Sequence, residues 1–231
     1  MKRVAKQVEP AAFTDWKSKT SEAWQPSYGA LQKPEKQALH VALLTEQGWV
    51  CCYCGRRTSL KDSHIEHFRP QKAREDLALD YGNLHASCIR ETEPGAPLHC
   101  GHTKGNDFDE SCAISPQDTN CEHRFSYSAQ DGTIYPSTMG DECAAYMVGL
   151  LKLDVKFLCN RRAEALKDVF DDAFVRSASD SELVKLAHAY RVPDARGNLT
   201  GFGHALARYA AQLLGHTQGP AHRLPGGRQF S

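Results

Sequence analysis

Five short runs carry most of the chemistry in this chain. They are Cys51-Cys52-Tyr53-Cys54-Gly55, His64-Ile65-Glu66-His67-Phe68-Arg69-Pro70, Tyr81-Gly82-Asn83-Leu84, the lone Cys88, and Cys100-Gly101-His102-Thr103-Lys104-Gly105-Asn106. Cys51 and Cys54 are separated by two residues, the spacing of half a tetrahedral zinc site. Cys88 and Cys100 would complete four thiolate ligands, with Cys52 turned to the other side. The gap between Cys88 and Cys100 is wide for a second half-site. Pro94-Gly95-Ala96-Pro97 explains it as a loop insertion.

Between the cysteines lies the equipment for metal-assisted hydrolysis of a phosphodiester. That reaction needs a base for water, a divalent cation on the phosphate, and groups that hold the cation. His67 suits the base because an imidazole titrates near neutrality. Glu66 offers a hard oxygen for Mg²⁺ or Mn²⁺. His102 is the candidate for a further ligand, with Asn106 as its substitute. Asn83 is better placed to brace the loop carrying His67 than to touch metal. Neighbours on a strand point to opposite faces, so Glu66 and His67 share a site only if the strand bends or ends there, which Pro70 favours. His64 falls on the same side as Glu66, as a supporting group or another ligand. An isolated Glu-His pair is most simply a solvated surface pair; the cysteine frame turns the reading toward a working site. The competing reading is a non-catalytic, zinc-stapled module that binds nucleic acid or serves as a scaffold.

The elements that must position these groups read as an α+β chain. Residues 1–48 form a helical arm, with a helix after Pro34 carrying Leu39, Leu43 and Leu44 on one face. Residues 49–110 are short strands and turns around the cysteines, with a strand over His64–Phe68 and a helix opening at Tyr81-Gly82-Asn83-Leu84, capped by Asn83. Residues 111–231 hold a hairpin and then helices. Phe125-Ser126-Tyr127 and Thr133-Ile134-Tyr135 flank Asp131-Gly132, a strong turn dipeptide. A helix capped by Asp154 runs through Leu158, Leu166 and Phe170 to about Val175. Ser179 and Glu182 have capping-box spacing, and a last helix covers about Gly203 to Leu214. The tail from His222 to Ser231 reads as loose. Arg161 and Arg162 read as a solvated helix face with nucleic-acid contact as the alternative. Cys112, Cys121, Cys143 and Cys159 match no compact site and read as small buried thiols rather than a second zinc centre.

The chain has 231 residues and nine cysteines, with 28 basic residues against 28 acidic ones. No apolar run is long enough to cross a bilayer, and Met1-Lys2-Arg3-Val4-Ala5-Lys6-Gln7 opens no secretory signal. Reduced thiols with a metal-binding subset, in a cytoplasmic protein, fit better than a disulfide framework. A neutral chain has little positive charge to spare for phosphates, so a partner would supply part of the grip.

These runs resemble the HNH endonucleases, whose ββα-metal unit carries an acid–His strand, a central Asn and a final His or Asn. The likeness is closest to the nuclease subunit of Septu anti-phage systems, the PtuB family, also found beside retrons. Thr45-Glu46-Gln47-Gly48, the five runs above, the hairpin over Phe125–Pro136 and Leu150-Leu151-Lys152-Leu153-Asp154 with Asn160-Arg161-Arg162 all share in it. The resemblance implies a zinc-stapled ββα-metal core at residues 49–110 and a catalytic role for Glu66, His67, Asn83 and His102. It also implies DNA as substrate, with RNA left open, and an ATPase partner of the ABC/SMC-like PtuA type. The chain departs from many HNH proteins in having Gly101 directly after the fourth cysteine.

Overall fold

The computed structural model describes residues 1–217. Among the described residues the fold grows from two small hairpins and eight α-helices. The first helices are α1 (Ala11–Lys17) and α2 (Glu35–Glu46). In α2, Glu35 complements the positive end of the helix dipole, and Leu39, Leu43 and Leu44 form its fully buried stripe. That stripe packs against Phe13, Trp16 and Leu31, and against Leu84 and Ala86 of the first hairpin.

The first hairpin pairs β1 (Ser63–His67) antiparallel with β2 (Leu84–Cys88), with Glu66 opposite His85 and His64 opposite Ser87. The buried side chain of Gln47, just past α2, holds the free edge of β2. It receives Ala86 N–H at 2.7 Å and donates to the Ala86 carbonyl at 2.8 Å. Cys52 N–H donates to the same carbonyl at 3.1 Å. The cysteine turn is thereby docked on the strand that leads to Cys88.

Tyr81–Asn83 does not open a helix. It is a single 3₁₀ turn, capped by Asp80, that delivers the chain into β2. Asn83 spends its amide elsewhere, as described below, so it has nothing left to cap with.

Beyond α3 (Gly101–Lys104) come the second hairpin, β3 (Phe125–Tyr127) with β4 (Ile134–Pro136), and then α4 (Glu142–Leu150). A single helix from Asp154 to Val175 is not formed. The segment divides into α5 (Lys156–Lys167) and α6 (Asp172–Ser177), because Asp171 caps a new start while Asp154 caps nothing. Arg162 is neither solvated nor a nucleic-acid contact. It is buried in α5 and donates to the carbonyls of Gly132 (2.7 Å) and Leu153 (2.6 Å), fastening the hairpin turn to the helix. Arg161 is exposed and pairs with Glu164. The capping box of Ser179 and Glu182 opens α7 (Asp180–Ala189), and α8 (Gly203–Thr217) closes the described chain. The tail His222–Ser231 lies outside the described residues.

Met1 and Val4 join the larger core, with Tyr127, Leu158, Leu166, Leu206 and the cysteines of the zinc-type cluster. The last helix also backs the cysteine turn directly. Phe202 N–H donates to the Gly55 carbonyl at 2.7 Å. Gly55 has φ +72°, and a Cβ there would lie 2.2 Å from Cε1 of the buried His204. Gly55→Ala is therefore expected to cost about 2–4 kcal/mol, combining a left-handed backbone with overpacking. Denaturant midpoints would check it; a change under about 0.5 kcal/mol, typical of a surface site, would mean that α8 does not press on this turn.

Candidate functional site

Four cysteines converge where the first hairpin, the Cys51–Cys54 turn and α3 meet. The Sγ atoms of Cys51, Cys54, Cys88 and Cys100 all lie within 4.8 Å of one another, and all four residues are buried. Cys54 and Cys88 are 3.7 Å apart at sulfur. Four sulfurs each about 2.3 Å from a central zinc would stand about 3.8 Å apart, so the cluster fits a structural zinc. Burial opposes ionisation at Cys51, Cys88 and Cys100. It pushes Cys88 and Cys100 well up, while hydrogen bonds from the neighbouring thiols outweigh burial at Cys51 and hold that thiol well down. All four can ionise together only around a cation. Donors already surround them. Tyr53 N–H points at Cys51 Sγ (3.5 Å), and Nδ1 of the buried His99 lies 3.2 Å from Cys100 Sγ and 3.7 Å from Cys88 Sγ. Cys52 stands outside the cluster.

On the β1 face toward this cluster, Glu66 is buried and fully engaged. Its Oε1 accepts from the Tyr53 hydroxyl at 3.1 Å and pairs with Lys104 Nζ at 3.1 Å; its Oε2 meets His64 Nε2 at 3.3 Å. Burial raises the Glu66 pKa, but His64 and Lys104 outweigh it and leave the carboxyl below its ordinary value. For His64 the same carboxylate, with the Ile89 carbonyl, overcomes burial and raises the pKa. The Ile89 carbonyl accepts from both His64 Nδ1 (2.6 Å) and His102 Nε2 (2.8 Å). Ile89 has φ +68°, a costly conformation for a β-branched residue, which aims its carbonyl at two imidazoles. His102 thus reaches Glu66 through His64, with the two rings edge to face at 4.8 Å. Gly101 closes the group: a Cβ there would lie 2.5 Å from Glu66 Oε2 and 2.8 Å from His64 Nε2. Asn106 is exposed beyond α3.

His67 takes the opposite face of β1, so the structure does not bring its ring and the Glu66 carboxylate to one side. Nε2–H donates to the Ala78 carbonyl at 3.0 Å, and Nδ1 faces the Gln71 side-chain amide at 3.2 Å. The Tyr28 ring stands edge to face over it at 4.4 Å. Burial lowers the His67 pKa, with the Ala78 bond pulling the other way. Asn83 braces the loop that follows. Its Oδ1 accepts from Arg69 N–H (2.8 Å) and its Nδ2 donates to the Arg69 and Leu77 carbonyls (3.0 and 3.2 Å). Lys104 ties the two faces together, since its buried ammonium also donates to the His67 carbonyl at 3.0 Å.

Sequence reasoning did not single out Tyr28, Tyr53, Gln71 or Lys104. Two signals were there to use. Tyr53 and Lys104 sit inside the very runs that carry the cysteines and Gly101, and a lysine in such a run needs a carboxylate if it is buried.

The chain has a relative among known proteins. A protein of Vibrio cholerae serotype O1 biovar El Tor, named "Retron Vc95 putative HNH endonuclease", is 32% identical over 104 residues, which cover 44% of this chain and 48% of that protein. The likeness supports an HNH-type nuclease. The chain spans about half the length of the curated relative it matches. No protein-family profile matches it. Among the described residues no helix is long and apolar enough to cross a membrane.

Proposed function

We propose that this chain is a metal-dependent HNH endonuclease of the Septu and retron-associated PtuB type, cutting DNA in anti-phage defence beside an ATPase of the ABC/SMC-like PtuA kind. The observation that carries the reading is the setting of His67. Its imidazole is held through Nε2 at the end of a strand pinned to a four-cysteine cluster, next to a loop braced by Asn83. With Nε2–H committed to Ala78, the lone pair falls on Nδ1, the atom that would take a proton from water. Among the described residues, the Gln71 amide is the group that faces that atom, and a substrate water would replace it. Lys104 fixes the His67 carbonyl, and Asn83 keeps Arg69 from drifting, so both act as positioning residues.

A divalent ion would supply charge on the scissile phosphate. Glu66, with His102 as second ligand and Asn106 as its substitute, would hold it; because His67 takes the opposite face of β1, the reading requires the end of the strand to turn so that both reach one phosphate. The donor set fits in kind, since a hard carboxylate and an imidazole belong to one cluster; the Lys104 ammonium and His64 would be displaced from that carboxylate by the ion. The even charge balance of the chain supports a partner that contributes grip on nucleic acid.

One observation favours a second reading, a scaffold without activity: Tyr53, Lys104 and His64 already satisfy both Glu66 oxygens. A cleavage assay separates the two. The purified chain, alone and with the ATPase, is incubated with supercoiled plasmid or tRNA and Mg²⁺ or Mn²⁺. Nicked or linear plasmid that disappears with EDTA is the expected result. Intact plasmid and intact tRNA under every condition would leave the scaffold reading standing. Cleaved tRNA with intact plasmid would move the substrate from DNA to RNA.

A further inference from the structure

The thiols outside the four-cysteine cluster are not equivalent. Cys52 and Cys121 are buried, and the half-buried Cys159 donates to the Asp154 carbonyl at 3.2 Å. Cys112 and Cys143 are half-buried as well, and their sulfurs are 2.6 Å apart. Each is presented by fixed backbone. Cys143 lies in the first turn of α4, where the Asp141 side chain caps Ala144 N–H at 2.9 Å. Cys112 ends a turn in which its own N–H donates to the Asp109 carbonyl (3.1 Å) and the Asp109 carboxylate holds the Ser111 N–H and hydroxyl. That turn is docked on α4, since Asp109 N–H donates to the Tyr146 hydroxyl at 2.8 Å. The sulfurs meet because two docked elements meet, which leaves little movement between the dithiol and a bond of about 2.05 Å.

We propose that Cys112 and Cys143 form a dithiol–disulfide couple, oxidised by small-molecule disulfides, that clasps the Asp109–Cys112 turn to the head of α4. Cys143 attacks the small disulfide as thiolate. One thiol leaves with a proton, and Cys143 is left in a mixed disulfide. Cys112 then loses its proton and attacks the Cys143 sulfur, displacing the second thiol. The protein gives up two hydrogens and two electrons; the small disulfide becomes two thiols. The neighbouring Cys143, with burial, pushes the Cys112 thiol up to about 11. The clasp has a structural reach. Glu110, inside the clasped turn, takes the Arg69 guanidinium through Nε at 2.8 Å, and Arg69 is the residue whose backbone Asn83 holds beside His67. The couple stands independently of the nuclease reading.

The test uses the full chain with its metal. Samples equilibrated over a range of glutathione to glutathione-disulfide ratios are trapped with N-ethylmaleimide, mapped by peptide mass and assayed for zinc. The expected result is a Cys112–Cys143 peptide pair within one chain, lighter by two hydrogens, formed at a lower disulfide fraction than any glutathione adduct on Cys159 and without loss of zinc. In Cys143→Ser the link vanishes and Cys112 carries glutathione instead. The proposal is overturned if Cys112 and Cys143 are both alkylated where Cys159 is already glutathionylated, or if the link forms only between chains.

Discussion

Replacing Cys88 with alanine is expected to strip the chain of its zinc and to lower its thermal midpoint by about 10–20 °C. The size follows from where the cluster sits. It joins the Cys51–Cys54 turn, the last residue of β2 and the N-terminal end of α3, three pieces with few long apolar side chains of their own. Structural zinc in small domains supplies about 10–16 kcal/mol of apparent binding energy. Part of that would be recovered here, because α2 still packs on β2 and α8 still presses on Gly55. A net loss of about 5 kcal/mol is a reasonable floor, and at about 2–4 °C per kcal/mol for a chain of this size it gives the stated shift. Elemental analysis and calorimetry measure both quantities. Cys159→Ala, at a half-buried thiol outside the cluster, is the control and should keep its zinc. An equimolar zinc content in Cys88→Ala, or a midpoint no lower than the control's, would remove the staple from the account.

That cluster was the most legible part of the molecule, because metal geometry constrains sequence spacing over short distances. Local rules were equally readable. The Asp131-Gly132 turn, the Ser179–Glu182 capping box and the strand carrying Glu66 and His67 each depend on a few adjacent residues. What escaped was set by partners far along the chain. Asn83 looked like a helix cap, yet its amide is spent on Arg69 and Leu77, so the chain turns once and becomes a strand. Arg162 looked like a surface cation, yet the carbonyls it satisfies belong to Gly132 and Leu153. Gly132 admits this close approach because a Cβ there would stand 1.9 Å from the Cys159 carbonyl oxygen. The faces of Glu66 and His67 follow from strand alternation alone. What covers them does not: Tyr28 arrives from the N-terminal arm and Lys104 from α3.

Replacing His67 with alanine is expected to lower phosphodiester cleavage by about 10²–10⁴-fold, the usual worth of a positioned general base, while zinc content stays equimolar. The imidazole is 7% exposed, so the substitution also removes packing beneath Tyr28 and the bond to Ala78. A second variant separates chemistry from packing. Gln71→Ala leaves the ring, its Ala78 bond and its Tyr28 contact in place and removes the amide that faces Nδ1. Under the base reading this variant keeps cleavage within about tenfold of the wild type, because water can reach Nδ1 in place of the amide. If instead the ring acts only as a wedge under the arm, His67→Ala will lose stability, measured by calorimetry, and cleavage per folded molecule will survive. Wild-type cleavage by folded, zinc-loaded His67→Ala would therefore place the proton acceptor elsewhere. Alternative imidazoles stand on the Glu66 side of the strand, His64 and His102 among them.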